Sequence, residues 1–341
     1  MLSKVFTAIL CARAAWAYSS PPSGAITVGS SGTYPNLSKA LGDTSSSARS
    51  AISPHRASVL MSFQVYFIYS GTYIGQTLIS RSNITIYGQT STADSYTNNT
   101  VTLTNSLGAD DVGSSNDASG TVRVHGSNVA LYNLNIINSR GADQAIALSI
   151  QATQFGGYGL QIVGYQLSFQ CPCYDYILLI FRRDTLLANV GYEFIANSYI
   201  EGNTDFIFGE KASLWITSSV IHTLGHGWIT ASGRGTNDSN WYVIDNSEIS
   251  GIGDAYLGRP WGNYSRVVFQ KSYLDSNVPA AGWSIWNIGD ERTDHVTFAE
   301  YGNSGPSADT SSRANFSEVL SSAVSISTVL GSTSWIDSEF L

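Results

Sequence analysis

One aspartate of this chain stands in an unusually apolar stretch. Asp205 lies in the segment YIEGNTDFIFG (Tyr199–Gly209), directly before three large apolar residues. Burying a carboxylate among aromatic side chains costs free energy unless the group is paired or hydrogen-bonded. Two interpretations are about equal on composition alone. The carboxylate could be a reactive group, suited to nucleophilic attack or proton transfer, or it could cap a turn after Gly202.

Sequence patterns typical of several hydrolases are missing. The chain has no G-x-S-x-G or H-E-x-x-H motif, and no cluster of Cys and His at zinc-binding spacing. His222 and His226 are four residues apart, but they lie in a strand-and-loop region where this spacing does not place them on one face. Metal catalysis is therefore disfavoured, and no cofactor is expected.

Short β-favouring segments recur after about residue 83, many of them with apolar residues around Asn or Ser. Ile200, Ile221, Ile249 and Leu274 take the same place in four such units, at spacings of 21, 28 and 25 residues. Repeats of this length indicate a solenoid, since each coil buries its apolar face only by stacking on the next. A propeller blade needs about 40 to 50 residues. The sequence favours an all-β parallel β-helix in which Asn and Ser form ladders, with residues 307–341 as a cap or tail over the last coils.

The N-terminus resembles a secretory signal peptide. Lys4 precedes an apolar run from Val5 to Cys11, and small residues end at Ala17. The run is too short for a membrane anchor, and Arg13 interrupts it. We expect cleavage after Ala17, a secreted, extracellular protein, and one elongated domain over residues 18–341.

The charge balance limits the class of partner. The 341-residue chain has 17 basic and 25 acidic residues, and loss of the two basic residues of the signal peptide leaves 15 basic. A negative surface argues against nucleic acid, which requires clustered Lys and Arg. Neither nucleic acid nor membrane is expected as a partner, and the protein is expected to be a monomer. An exported glycoprotein could carry glycans at six N-x-Ser/Thr sequons: Asn36, Asn83, Asn98, Asn237, Asn263 and Asn315.

Several motifs, in a fixed order over residues 25–300, give the sequence a clear resemblance. Taken together and in this order, DFIFG and GRPW are highly specific, and the chain resembles the pectin methylesterase family of the fungal type. The resemblance implies a single-stranded right-handed parallel β-helix that removes methyl esters from the C6 carboxyls of galacturonate in pectin and releases methanol. The matching segments are DQAIAL (143–148), GYQ (164–166), DTLLA (184–188), YIEGNTDFIFG (199–209), ITASGR (229–234) and LGRPW (257–261).

The same resemblance assigns roles to individual residues. It implies that Asp205 is the nucleophile and that Asp184 is the general acid and then the general base. The remaining assignments are Gln144 and Gln166 for the oxyanion hole, Arg259 for holding the nucleophile, and Trp261 and Phe208 for binding the sugar. A Trp in a β-rich protein is more often part of the core, but exposed aromatic faces are favourable platforms for sugar rings.

Two segments depart from the family pattern. Relatives read G-Y-Q-D-T-L without interruption, whereas residues 167–183 separate Gln166 from Asp184 here. Their 17 residues would correspond to a short retained intron, and as a real insertion they would separate two adjacent catalytic positions. Residues 49–63 are a second suspected insertion. Gly75 stands where relatives commonly carry Glu, and little effect on chemistry is expected there.

Two alternatives to an esterase stay open at this point. One is a β-helix pectate lyase or polygalacturonase, although neither the calcium-binding acids nor the close aspartates of those enzymes are visible. The other is a polysaccharide-binding protein in which the 167–183 insertion has impaired catalysis.

Overall fold

The computed structural model describes residues 18–43, 64–141, 144–164 and 184–341, and these form a parallel β-helix. The all-β solenoid predicted from the repeats is confirmed. In chain order, the strands of its first half are β1 (Ile26–Val28), β2 (Gln64–Ile68), β3 (Gly71–Ile74), β4 (Thr77–Ile79), β5 (Ile84–Gly88), β6 (Val101–Asn105), β7 (Val122–Val124), β8 (Val129–Tyr132), β9 (Asn135–Asn138), β10 (Leu148–Ile150), β11 (Phe155–Tyr158) and β12 (Gln161–Gly164).

The second half continues in the same way. Its strands are β13 (Leu186–Ala188), β14 (Val190–Ala196), β15 (Tyr199–Gly209), β16 (Lys211–Thr217), β17 (Val220–Ser232), β18 (Tyr242–Asp245), β19 (Glu248–Ile252), β20 (Ala255–Pro260), β21 (Arg266–Gln270), β22 (Tyr273–Leu274), β23 (Thr297–Tyr301) and β24 (Ser317–Val319). Helices are few and short: α1 (Leu37–Gly42), α2 (Asn116–Ser119), α3 (Ile326–Leu330) and the 3₁₀ turns Asp110–Val112 and Ser338–Phe340. In the described part of the chain, no helix is long and apolar enough to cross a membrane.

The strands form two sheets. Sheet A has eleven strands in the order β1-β2-β5-β8-β11-β14-β16-β18-β21-β23-β24. Sheet B has thirteen strands in two halves, one containing β9 and β12 and the other β10 and β13. The long strands β15 and β17 extend across both halves, because β15 pairs with β12 through its first residues and with β13 through its last.

A single residue with positive φ turns the chain out of each of seven sheet A strands, with φ between 44° and 60°. Asn and Gly adopt this left-handed conformation at the lowest cost, which explains their recurrence at this point of the repeat. These residues are Asn133, Gly159, Asn197, Ser218, Asn246, Lys271 and Gly302.

The next position is occupied by a buried serine in four successive coils. The backbone N–H of each of the first three serines donates to the hydroxyl of the serine in the following coil, at 3.1–3.2 Å, in the order Ser198, Ser219, Ser247 and Ser272. The aligned apolar residues lie in register beside this ladder, Ile200 with Ile221, Ile221 with Ile249 and Ile249 with Leu274. The predicted alignment and the predicted polar ladder are both confirmed.

The C-terminal segment packs along the outside of sheet A and extends beyond the last coils. The backbone N–H of Val324 donates to Gln270, in a late coil. Asp337 accepts a hydrogen bond from Tyr132 at 2.9 Å and donates its N–H to Tyr158, both in earlier coils. The expectation of a tail over the last coils is therefore only partly right.

Candidate active site

Asp205 lies on the outer side of β15, and its carboxylate is held by an arginine. The side chain of Asp205 accepts hydrogen bonds from Nε of Arg259 at 2.9 Å and from its Nη2 at 2.5 Å, which makes a bidentate ion pair. Asp205 is 9% exposed, so the pair is largely removed from water. A buried bidentate ion pair fixes the orientation of a carboxylate, because the planar guanidinium donates one hydrogen bond to each of its two oxygens.

Asp184 occupies the position equivalent to Asp205 in the preceding coil. Leu186 pairs with Ile207, two residues further along each strand, and the N–H of Thr185 donates to the carbonyl of Phe206 at 3.2 Å. Paired strands lie about 4.8 Å apart, which places the two aspartates side by side. Both have positive φ, 70° for Asp184 and 53° for Asp205, so the backbone directs the two side chains alike. Asp184 is 3% exposed.

The coil that carries Asp184 contains more residues than the next coil. Val163 pairs with Glu201 and Leu186 pairs with Ile207. The first residues of these pairs, Val163 and Leu186, are 23 positions apart, while their partners are six apart, a difference of 17 residues. This number equals the length of segment 167–183, which lies outside the described residues. The suspected insertion 49–63 and the signal peptide, residues 1–17, also lie outside them.

The two aromatic residues assigned to sugar binding lie next to each other. The rings of Phe208 and Trp261 have centroids 6.1 Å apart, and Trp261 remains half-buried. Gly233 makes room for the indole, since a Cβ at this position would lie 2.5 Å from the Trp261 ring. They belong to a small apolar cluster on the outside of sheet B, formed with Ile146, Leu187 and Ala231.

The two glutamines are less well defined than the acids. Gln144 is exposed, and its carbonyl accepts from the N–H of Ala109 at 2.8 Å. Gln144 precedes β10. Leu148 of β10 pairs with Leu186 of β13, the strand that follows Asp184 in the sequence. Gln166 lies outside the described residues, so only one half of the predicted oxyanion hole has a place in the structure.

Two tryptophans that were not singled out from the sequence contact the arginine of the site. The guanidinium carbon of Arg259 lies 3.8 Å from the centroid of Trp228 and 4.3 Å from that of Trp286. Trp228 directly precedes the ITASGR segment, and this position is the feature of the sequence that could have identified it as a residue of the site. Trp286 follows a buried Trp283 in a short W-x-x-W pattern.

A second acid near the site, Asp290, also forms an ion pair with an arginine. Hydrogen bonds from Arg292 lower the pKa of Asp290, and another N–H of Arg292 donates to the carbonyl of Trp261. Within the described ranges, no group of three or more His, Cys, Asp or Glu residues is placed to hold a metal ion.

Comparisons with known proteins agree with this architecture. The family model described as Pectinesterase matches residues 42–334. A pectinesterase from Aspergillus aculeatus is 36% identical, with 100% of both chains covered, and a probable pectinesterase A from Aspergillus fumigatus is 38% identical, covering 94% of this chain and 91% of its own.

Solved structures give the same result. The deglycosylated pectin methylesterase from Aspergillus niger superposes with a TM-score of 0.80 at 36% identity, covering 95% of this chain and 100% of its own. The pectin methylesterase from carrot superposes with a TM-score of 0.72 at 25% identity, covering 93% and 96%. With a parallel β-helix, a family model that matches most of its length, and relatives that align along the whole chain, this protein belongs to the pectinesterase family.

Proposed function

We propose that the protein hydrolyses methyl esters of galacturonate in pectin by direct attack of Asp205, with Asp184 transferring protons. The observation that carries the proposal is that two buried aspartates occupy equivalent positions in adjacent coils. Both oxygens of one of them, Asp205, accept hydrogen bonds from Arg259. Membership of the esterase family favours this reaction over a lyase or a polygalacturonase.

The first half of the reaction forms an acyl-enzyme. A carboxylate oxygen of Asp205 attacks the C6 carbonyl carbon, and the negative charge that develops on the carbonyl oxygen is bound by the side-chain amides of Gln144 and Gln166. The bond between this carbon and the methoxy oxygen then breaks. Asp184 gives its proton to the methoxy oxygen, and methanol leaves.

The second half restores the enzyme. A water molecule attacks the acyl carbon and gives one proton to the carboxylate of Asp184. The bond to Asp205 breaks, and both aspartates return to their starting protonation states. The product leaves as the galacturonic acid, which keeps the second proton of the water and then loses it to solvent. Arg259 stabilises Asp205 as an anion both before attack and on release, since the guanidinium is charged throughout.

The charges around the site support attack at dispersed positions in preference to processive attack along one chain. Arg259 forms an ion pair with Asp205, Arg292 with Asp290, and Arg123 with Asp117. Arg123 occupies the position of Arg259 in an earlier coil, since paired residues of neighbouring strands in sheet B connect the two. Each of these three cations has an acidic partner, and the chain has a formal net charge of −8. An acidic enzyme gains no affinity from the carboxylates that it creates.

The decisive experiment measures methanol release from methylated polygalacturonate. We expect Asp205→Ala to lose at least about 1,000-fold in kcat, because the nucleophile is absent. Asp94→Asn serves as the matched control, since Asp94 is an exposed acid outside the site. Release of methanol by Asp205→Ala at the wild-type rate would refute the mechanism.

The chain as written and a form without residues 167–183 are compared in the same assay. We expect the shortened form to be the more active one, because a displacement of about 1 Å between catalytic groups already costs on the order of 100-fold in rate. Binding of esterified pectin without methanol release, even by the form without residues 167–183, would favour the polysaccharide-binding alternative.

We also propose that the protein is secreted and acts outside the cell, on the basis of its N-terminal 17 residues. Expression in a secreting fungal host, with N-terminal sequencing of the protein in the medium, tests this. A new N-terminus at Tyr18 is expected, and retention of Met1 inside the cells would contradict it.

A further inference from the structure

Five flat side chains form a stack at the proposed site, and Arg259 is the middle one. The ring of Tyr256 lies 6.3 Å from that of Trp228, with 17° between their planes. Arg259 follows at 3.8 Å from Trp228, Trp286 at 4.3 Å from Arg259, and Arg292 at 4.9 Å from Trp286. Both guanidinium groups are within the distance at which an aromatic ring attracts a cation. From Trp228 to Arg292 the stack therefore alternates aromatic rings and cations, and it includes the guanidinium that holds Asp205.

The stack limits the motion that Arg259 retains. Its Nε and Nη2 donate to Asp205, and its Nη1 donates to the carbonyl of Trp286 at 3.5 Å. These bonds lie in the plane of the guanidinium, so they leave movement out of the plane unopposed. Contacts from Trp228 and Trp286 oppose that movement, and an arginine fixed in this way holds the carboxylate of Asp205 in one orientation.

Each tryptophan is itself fixed by the backbone. Trp228 pairs with Thr204, the residue directly before Asp205, in the neighbouring strand. At Gly227, a Cβ would lie 2.1 Å from the carbonyl oxygen of Asn203, so glycine is required for the close approach of the two strands. Trp286 begins a tight turn in which its N–H donates to the carbonyl of Glu291 at 3.2 Å.

We propose that Trp228 and Trp286 are positioning residues for the esterase reaction: they hold the guanidinium of Arg259 between two indoles so that Asp205 points at the ester carbon. The inference rests on the proposed role of Asp205. Trp228 is assigned no contact with the reacting atoms, and its effect passes through Arg259. Arg292 completes the stack and joins it to Trp261 through the Trp261 carbonyl.

The kinetic test compares Trp228→Leu with Trp228→Phe, in the full chain and in the form without residues 167–183. Leu keeps apolar bulk and loses the flat face, whereas Phe keeps the flat face. We expect Trp228→Leu to lower kcat by about 10- to 100-fold with KM changed less than about 2-fold, since a displaced carboxylate affects the chemical step. Trp228→Phe should recover most of the loss. A loss confined to KM, or a Phe variant as slow as the Leu variant, would overturn the inference.

A second measurement does not depend on activity. In nuclear magnetic resonance spectra, the Nε–H proton of Arg259 is expected to exchange slowly with water in the wild type, at least about 10-fold faster in Trp228→Leu, and slowly again in Trp228→Phe. Slow exchange in Trp228→Leu, in a chain that keeps its wild-type melting temperature, would sink the proposal.

The Asp205→Ala variant separates the two levels of the argument. If Asp205→Ala is inactive while Trp228→Leu keeps the wild-type kcat, the function stands and the positioning role fails. If Asp205→Ala stays active, the role of Asp205 fails, and the positioning role, which acts through Asp205, fails with it.

Discussion

At the scale of single residues, the site depends on backbone features that the side-chain pattern does not reveal. Asp184 and Asp205 both adopt positive φ, a conformation that Asp tolerates better than most residues other than Gly and that is common where a functional side chain must be directed. Glycines near the site have a different purpose. At Gly233 the missing Cβ leaves space that the indole of Trp261 fills.

This predicts a specific effect of Gly233→Ala. The added methyl group would lie 2.5 Å from the Trp261 ring, so the indole must shift from its position beside Phe208. We expect KM for pectin to rise by about 3- to 10-fold, which corresponds to about 1 kcal/mol of lost sugar contact, with a smaller change in kcat. Gly235→Ala is the matched control, because its nearest neighbouring atom lies at 3.9 Å. Equal KM values for the two variants would contradict the role of Trp261.

At the scale of the elements, strand β14 carries an unusual group behind the site. Glu193 is fully buried and faces the interior between Phe155 and Leu214 of the adjacent coils. Burial raises the pKa of its carboxyl well above the ordinary value of 4.5, and a backbone hydrogen bond at Val190 opposes this only in part. Tyr242 is also buried, and its burial, together with the nearby Glu193, raises the pKa of its hydroxyl.

The sign of the resulting pH dependence follows from the raised pKa. Well below pH 4.5 the carboxyl is protonated in both the folded and the unfolded state and contributes no pH dependence. As pH rises above this value, the unfolded chain loses the proton of Glu193 before the folded protein does, so stability falls. Glu193→Gln stays neutral at every pH. We expect its free energy of unfolding, relative to the wild type, to improve between pH 4 and pH 7, measured by urea denaturation. Glu318→Gln, at an exposed position, should show no such trend.

The sequence predicts the elements well where the signal repeats and poorly where it depends on distant partners. Asn and Ser recur in many of the coils, so the turns, the ladder and the register of Ile200 with Ile221 could be predicted from the sequence. Asp205 stood out as an acid in apolar text. The stacking of Trp228 and Trp286 on Arg259 could not be predicted, because it joins residues from separate coils through a contact that leaves no local pattern.

At the scale of the whole molecule, the coil before β15 is 17 residues longer than its neighbour requires. If residues 167–183 were removed, β12 and β13 would be joined by a connection as short as the one within β15. We expect the shortened chain to melt several degrees higher than the full chain, because the entropic cost of closing a longer loop disappears. A lower melting temperature would show that the segment contributes to folding. Sequencing of the mature message then decides whether the segment is ever translated.

The charge of the whole molecule gives the last prediction. Since Arg292 beside Trp261 is paired with the exposed Asp290, Asp290→Asn leaves its positive charge uncompensated. We expect KM for partly demethylated pectin to fall about 3-fold at low salt, and the gain to disappear near 0.5 M NaCl, where charges more than about 4 Å apart are screened. Fully methylated pectin and the control Asp94→Asn should show neither effect. An unchanged KM at low salt would mean that the carboxylates of the product do not come near Arg292, and that the paired charges have no part in how the enzyme chooses its next ester.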